Sequence, residues 1–289
     1  MEIRIILRGV LSGAIAGVLG FIFARIFAEP YIQQAIDYES GRDDAIASVA
    51  KSLGVTVEPD GPEIFSRTIQ ANIGVASGII GFSAAMGALV AVTYLVLHGR
   101  FGVRPRTLAL FITGLGFLGV YMVPFVKYPA NPPSIGHTFT IATRAHLYLT
   151  MVACSLIFLG LAVFLGHRIR HRFGTYNATL IAAGAFIVLI SIVMAVLPSL
   201  GHLAANKAVE GSLGYGKSAT ETPLPVTDPQ GHIVYPGFSA DVLWKFRFYS
   251  IIAQLIIWTT IGLTFSYLVE RFVGRPATTD PAPREVITV

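Results

Sequence analysis

Cysteine and charge are both scarce in this sequence. The one cysteine, Cys154, excludes an intramolecular disulfide. Charged residues make up 13% of the 289-residue chain, about half the fraction of a soluble domain. A phosphate-binding glycine loop, an HExxH pair and a nucleophile–base–acid triad are all missing, which leaves nucleotide hydrolysis and enzymatic catalysis without a foothold. No charged residue falls in the middle of a long apolar run, which argues against a proton relay or an ion pair at mid-membrane depth. Haem ligation is disfavoured as well, because no two histidines within such runs face each other.

What the chain has is apolar length. Hydrophobic residues account for 54% of it, with a mean hydropathy of +0.67. Six stretches, about 5–28, 71–97, 107–126, 145–166, 176–199 and 248–269, approach the roughly 20 residues a helix needs to cross a bilayer. The fold expected is an all-α membrane protein of about six transmembrane helices in one polytopic domain, 1–270, followed by a tail, 271–289. Assigning loops alternately collects eleven arginines on one side, among them Arg4, Arg8, Arg100, Arg104, Arg106, Arg168, Arg170 and Arg172. The other side holds twelve of the sixteen acids, including Glu29, Asp37, Glu39, Asp43, Asp44, Glu58, Asp60 and Glu63. Short basic loops stay in the cytoplasm, so both termini are expected inside, with two long outer loops, 29–70 and 200–247. The pI of 9.4 is therefore no sign of nucleic acid, since the basic residues flank membrane spans. The first stretch is too long for an ordinary signal peptide and ends in Ala24-Arg25-Ile26-Phe27-Ala28-Glu29-Pro30 without a small-x-small site, so a retained anchor is expected.

Within that frame, Gly9, Gly13 and Gly17 recur every four residues and Gly74 and Gly78 repeat the spacing, a pattern that lets helix backbones approach closely. Either they serve helix packing or they form a gliding surface for a transport motion. After Pro30, Ala45, Ile46, Val49, Ala50 and Leu53 predict a short amphipathic helix on the outer surface, ended by Gly54. The 200–247 loop, rich in glycine and proline, predicts extended or turn structure.

Polar candidates gather at the outer rim. Arg25 and Glu29 stand four apart and are expected to pair. Arg67, Lys127, Arg144, Asp241, Lys245 and Arg247 border the ends of spans. They read either as snorkelling anchors or as a charged vestibule gated by exchanging ion pairs. The segment Pro124-Phe125-Val126-Lys127-Tyr128-Pro129-Ala130-Asn131-Pro132-Pro133 holds four prolines and predicts a stiff extended collar. It is a rigid spacer, or else Asn131 and its carbonyls are hard oxygen ligands for a passing ion. His137, His146, His202 and His232 belong to the outer side, where with the acids they could collect a divalent metal. His167 and His171 form an i, i+4 pair that could chelate a metal at a cytoplasmic exit, although the arginines among them oppose a cation.

Three segments together resemble the CbtA family of probable cobalt transporter subunits. They are Arg8-Gly9 through the glycine stripe to Glu29-Pro30; Phe125 to Pro133 with Gly136, Arg144 and Leu147-Tyr148; and Phe238-Ser239-Ala240-Asp241-Val242-Leu243-Trp244-Lys245-Phe246-Arg247 with Gln254 and Trp258. The resemblance implies a permease subunit in the bacterial inner membrane that brings in cobalt for cobalamin synthesis. It implies no permanently bound cofactor, Co2+ being cargo, and a small single-span partner with a histidine-rich end, resembling CbtB. Many such proteins carry a His/Glu-rich tract in the first outer loop; here residues 37–44 are acidic and lack histidine. Glu29 and Asp241 with His137 or His146 would be entrance ligands, and Arg67, Lys127, Tyr128, Asn131, Arg144 and Arg247 would gate or position. Two other readings stand beside this one: a transporter of an anionic or organic solute, and a non-transporting scaffold for other membrane subunits.

Overall fold

The computed structural model describes residues 2–55, 64–216 and 218–273. Glu58, Asp60, Glu63 and the tail arginines Arg275 and Arg284 lie outside the described residues. Five apolar helical stretches are long enough to cross a membrane: Glu2–Ser52, Arg67–Leu97, Pro105–Lys127, Thr138–Ala208 and Ala240–Phe272. The protein is an all-α, multi-pass membrane protein.

The first stretch joins α1 (Glu2–Phe23) to α2 (Glu29–Ser52) through a π-helical segment, Ala24–Ala28. At 1.5 Å per residue its 51 residues reach about 75 Å, more than twice the hydrocarbon core. The expected short helix is therefore the far end of a much longer one. Pro30 does not stop it because it sits in the first turn of α2, where its missing N–H breaks no bond and the preceding π turn makes room for its ring. Leu53 and Gly54, the latter at φ 70°, end it.

A second chain segment runs through α3 (Arg67–Ile69), a π segment (Gln70–Gly74) and α4 (Val75–Leu97). A third runs through α5 (Pro105–Gly116), a π segment (Phe117–Met122) and α6 (Val123–Lys127), so that Pro124 too follows a π turn and the helix persists three residues beyond it. Residues 128–137 then form the extended collar.

Helix α7 (Ile141–Val196) contains one residue with non-helical geometry, Gly174 at φ 73° and ψ 166°. A side chain is strained there, so glycine allows the chain to fold back. The two arms pack on each other: a Cβ on Gly166 would touch Ala182 at 3.4 Å, and Met151 shares a cluster with Ile190. After α8 (Ala204–Ala208) comes a small hairpin, β1 (Val226–Thr227) with β2 (Ile233–Tyr235), in a stretch expected to be extended. The last helix, α9 (Ala240–Val273), begins eight residues before the apolar stretch at 248.

Helices α1, α4, α5 and α9 enclose the main core, with Ala16, Tyr94, Ile112, Trp258, Ile261 and Phe265 buried in it. The α1–α4 contact is backbone to backbone. A Cβ on Gly13 would lie 2.1 Å from the Ser83 carbonyl oxygen, and one on Gly9 would lie 2.3 Å from that of Gly87. Gly17 meets Ile80 in the same way. Gly74 and Gly78 take no part in this contact; they sit on the exposed face of the same chain segment, and nothing lies within 4 Å of a Cβ at Gly78. The α7 arms pack beside the collar around Met151, Tyr128 and Leu200. Ala35, Ile135 and Phe238 tie α2, the collar and the start of α9 into a cap.

Candidate functional site

The polar residues concentrate at the collar end in two neighbouring groups. The first lies where α1–α2 faces the start of the second segment. Glu29 is buried, although it carries a charge, and pairs with Arg67. Arg67 Nε donates to Gln33 Oε1 at 3.1 Å, and Gln33 donates to Asp37 at 2.8 Å. Arg25 Nε donates to Asn72 Oδ1 at 3.0 Å. The expected Arg25–Glu29 pair does not form: the widened π turn alters their spacing, and each takes a partner on the facing segment. Arg25, Glu29, Pro30, Gln33, Arg67, Thr68, Ala71 and Asn72 line an open cleft of about 380 Å³. Both of its walls contain a π segment, a distortion that recurs at functional sites because it frees backbone carbonyls and permits register shifts.

The second group knits the collar to the chain beyond α7. Tyr128 is buried, which pushes its phenol above the ordinary value and keeps the proton it donates to the Pro198 carbonyl at 2.8 Å. Asn131 donates to the Thr220 carbonyl at 2.7 Å and accepts from Arg247 at 2.9 Å. Arg247 Nε also donates to the Ala130 carbonyl at 3.0 Å. Lys127 lies with its Nζ 5.7 Å from the centre of the Tyr128 ring.

At the centre of this group is Glu221, a carboxylate whose side chain has no exposed surface. It accepts from Thr140 Oγ1 at 2.8 Å, Asn206 Nδ2 at 2.6 Å and the His137 backbone N–H at 3.2 Å. Arg144 Nε lies 3.4 Å from it, inside ion-pair range but off the hydrogen-bond axis. Arg144 Nη2 also donates to the His137 carbonyl at 3.2 Å. Sequence reasoning passed over Glu221, Asn206 and Thr140. The available signal was a lone acid in the Gly/Pro-rich stretch 211–227, set between Thr220 and Thr222.

This network fixes a tautomer. Asn206 Nδ2 donates to the carbonyl of Leu200 at 2.8 Å as well as to Glu221, so its Oδ1 must be the atom 2.7 Å from His137 Nδ1. That nitrogen therefore carries the proton. In the neutral ring the lone pair is then on His137 Nε2, which no hydrogen bond among the described residues engages and which is not a buried, unsatisfied atom. An imidazole held this way is oriented as metal ligands are by their supporting hydrogen bonds.

The remaining candidates lie apart. Asp241 is exposed in the first turn of α9, and His146 is exposed near the start of α7. His167 sets its ring against Phe101 at 5.8 Å, and His171 shares a small cavity with Arg168 and Arg172 at the opposite end of the bundle. Among the described residues no three His, Cys, Asp or Glu side chains converge as a metal centre.

Residues 2–270 match the sequence profile of a family described as "Probable cobalt transporter subunit (CbtA)". The chain belongs to the CbtA family. No match was found among the curated proteins or the solved structures. The family is thus described as one of probable transporter subunits, not of enzymes, and the match takes in nearly every described residue. Two of the segments that carry the resemblance, 125–136 and 238–247, meet in this fold through Arg247 on Asn131 and through the Ile135–Phe238 contact cluster.

Proposed function

We propose that the chain is a membrane permease subunit for a divalent transition metal, with cobalt the leading candidate. The observation that carries this reading is the CbtA match over residues 2–270. The fold-back at Gly174 in the fourth apolar stretch supports reading it as two crossings, six in all. Arg8 lies over Phe272 at 3.9 Å and Arg106 approaches Glu270 at 3.7 Å, so the start of α1 and the end of α9 share the arginine-rich end. By the positive-inside rule we read that end as cytoplasmic and the collar end as the outer one, in a bacterial inner membrane as the family resemblance implies.

In this reading Glu29 is the entrance carboxylate, and an arriving cation competes with Arg67 for it. His137 offers Nε2 at the collar, and the carbonyls of the π segments and the collar are the oxygen donors beyond. The lack of a convergent cluster suits transit, since an ion held by few ligands is also released. No nucleotide site is present in the sequence, and a membrane potential of 100 mV favours inward movement of a 2+ ion by about 4–5 kcal/mol. Asp241 remains a rim acid that raises local cation concentration. A small single-span CbtB-like partner would be an additional source of histidines.

The anionic-solute reading rests on the clustered Arg67, Lys127, Arg144, Lys245 and Arg247. Arg67 pairs with Glu29 and Arg144 with Glu221, which counts against it; Arg247 donates to the neutral Asn131, and Lys127 and Lys245 lie 5.7 Å and 5.6 Å from the Tyr128 and Tyr31 ring centres. The test is uptake of labelled cobalt by cells lacking their own cobalt importers, with the chain expressed alone and with a candidate small partner. Saturable uptake competed by nickel or zinc but not manganese is expected. Absence of uptake in both configurations, with the protein shown to be in the membrane, would overturn the proposal.

A further inference from the structure

The arginine-rich turn of the α7 hairpin has a feature that transport does not use. Arg168, Ile169, His171, Arg172 and Phe173 line a cavity of about 270 Å³. Among the described residues no ion pair engages its two guanidinium groups, and the sequence contains no Asp or Glu from residue 64 to residue 209. At the same end Glu270 is held by Arg106.

The face of α7 leading to this cavity is apolar and uncovered. Ile157, Leu161 and Phe164 follow one another at helical spacing toward Arg168, and they are 59%, 51% and 67% exposed. From Ile157 to Arg168 the helix rises about 16 Å, close to half the hydrocarbon thickness and so to the depth of one leaflet. The hairpin is also the least covered of the five apolar stretches, with 11% of its most apolar window buried against 28–39% in the others.

A cationic cavity at the end of a leaflet-long apolar stripe has the chemistry of one ligand class. We propose that Arg168, His171 and Arg172 bind the phosphodiester headgroup of an anionic phospholipid whose acyl chain lies along Ile157, Leu161 and Phe164. Guanidinium groups suit this task because each presents a planar pair of donors to two phosphate oxygens, which a lysine cannot do. Basic pockets at the ends of membrane helices are where such lipids dock. The proposal needs only that the hairpin lies in a membrane and does not depend on what the protein transports.

The experiment is reconstitution of the full chain in nanodiscs of equal phosphatidylglycerol and phosphatidylcholine, followed by detergent extraction and mass spectrometry of the retained lipid. Several-fold enrichment of phosphatidylglycerol on the wild-type protein is expected. R168K/R172K preserves the charge that fixes topology but removes bidentate recognition, and should bring enrichment down to near parity. R100K/R104K, a matched change away from the cavity, should leave enrichment intact. Equal retention of both lipids by the wild type would overturn the proposal, as would equal effects of the two double variants, which would indicate diffuse charge. Loss of enrichment on adding inorganic phosphate at millimolar concentration would overturn it too, because the site would then be one for free phosphate.

Discussion

Glu221 and its partners set the terms at the residue scale. A carboxylate with no exposed surface is tolerated only when its lone pairs are filled and its charge is countered; Thr140, Asn206 and the His137 N–H do the first and Arg144 the second. Glu221→Gln places an amide N–H among donors and leaves Arg144 unpaired. We expect a loss of roughly 3–5 kcal/mol, the usual cost of breaking a buried pair, read as an earlier thermal transition in detergent. R144Q should behave alike, and the double variant should lose less than the two single losses added together. Asn206→Ala tests a second link in the same network. It removes the acceptor that holds His137 in the Nδ1–H form, so imidazole nitrogen shifts in NMR should move toward the Nε2–H tautomer, with the fold retained. An unchanged tautomer would mean that something other than Asn206 orients the ring. None of this was legible in the sequence, because the partners of Glu221 come from positions as far as 84 residues away. The rim list found Arg144, Asn131, Arg247 and His137 from their charge and polarity, but not the acid and amide that organise them.

Elements were legible where apolar length decides and illegible where proline and glycine chemistry does. Each apolar run lies largely within a helix long enough to cross a membrane, since length and lack of charge are the whole signal, but the ends differ: the first helix runs on to Ser52 and the last begins at Ala240. The same reading stopped the first helix at 28, before Pro30, because a proline inside a helix removes a bond, while it carried the third through Pro124 to 126. In the structure each proline follows a π turn, Ala24–Ala28 or Phe117–Met122, and the helix continues. The glycines divide similarly. Spacing alone made Gly13 and Gly78 equivalent, yet Gly13 touches the backbone of α4 and Gly78 faces open space. Gly13→Ala would put a methyl 2.1 Å from the Ser83 oxygen, and parting α1 from α4 should cost about 1–3 kcal/mol and lower the thermal transition. Gly78→Ala should be neutral or stabilise by up to about 1 kcal/mol through helix propensity. Equal effects of the two substitutions would show that this helix crossing is not what holds the bundle.

At the scale of the whole molecule, the bundle divides into a tight part and a polar part. Along the lower α1–α4 crossing, glycines bring backbones into contact; toward the collar the same two segments separate around the cleft, each with a π turn in its wall. A change in the angle between the segments would leave the glycine crossing nearly fixed and open or close the cleft, with the Glu29–Arg67 pair as the contact that must yield. Under the proposed function, a divalent cation arriving at Glu29 would supply the differential interaction that such a shift requires, because it would replace Arg67 as counter-charge. The kinetic consequence separates the two partners. If the proposed role of Glu29 holds, Glu29→Gln removes an entrance ligand and should reduce cobalt uptake at least tenfold at low concentration. Arg67→Gln removes the competitor but also the latch, so the half-saturating cobalt concentration should fall while the maximal rate drops. A purely structural pair would behave differently: both variants would lower the amount of protein in the membrane together, and uptake per molecule would keep the wild-type half-saturation. Measuring uptake against surface-expressed protein over a cobalt concentration series distinguishes these outcomes.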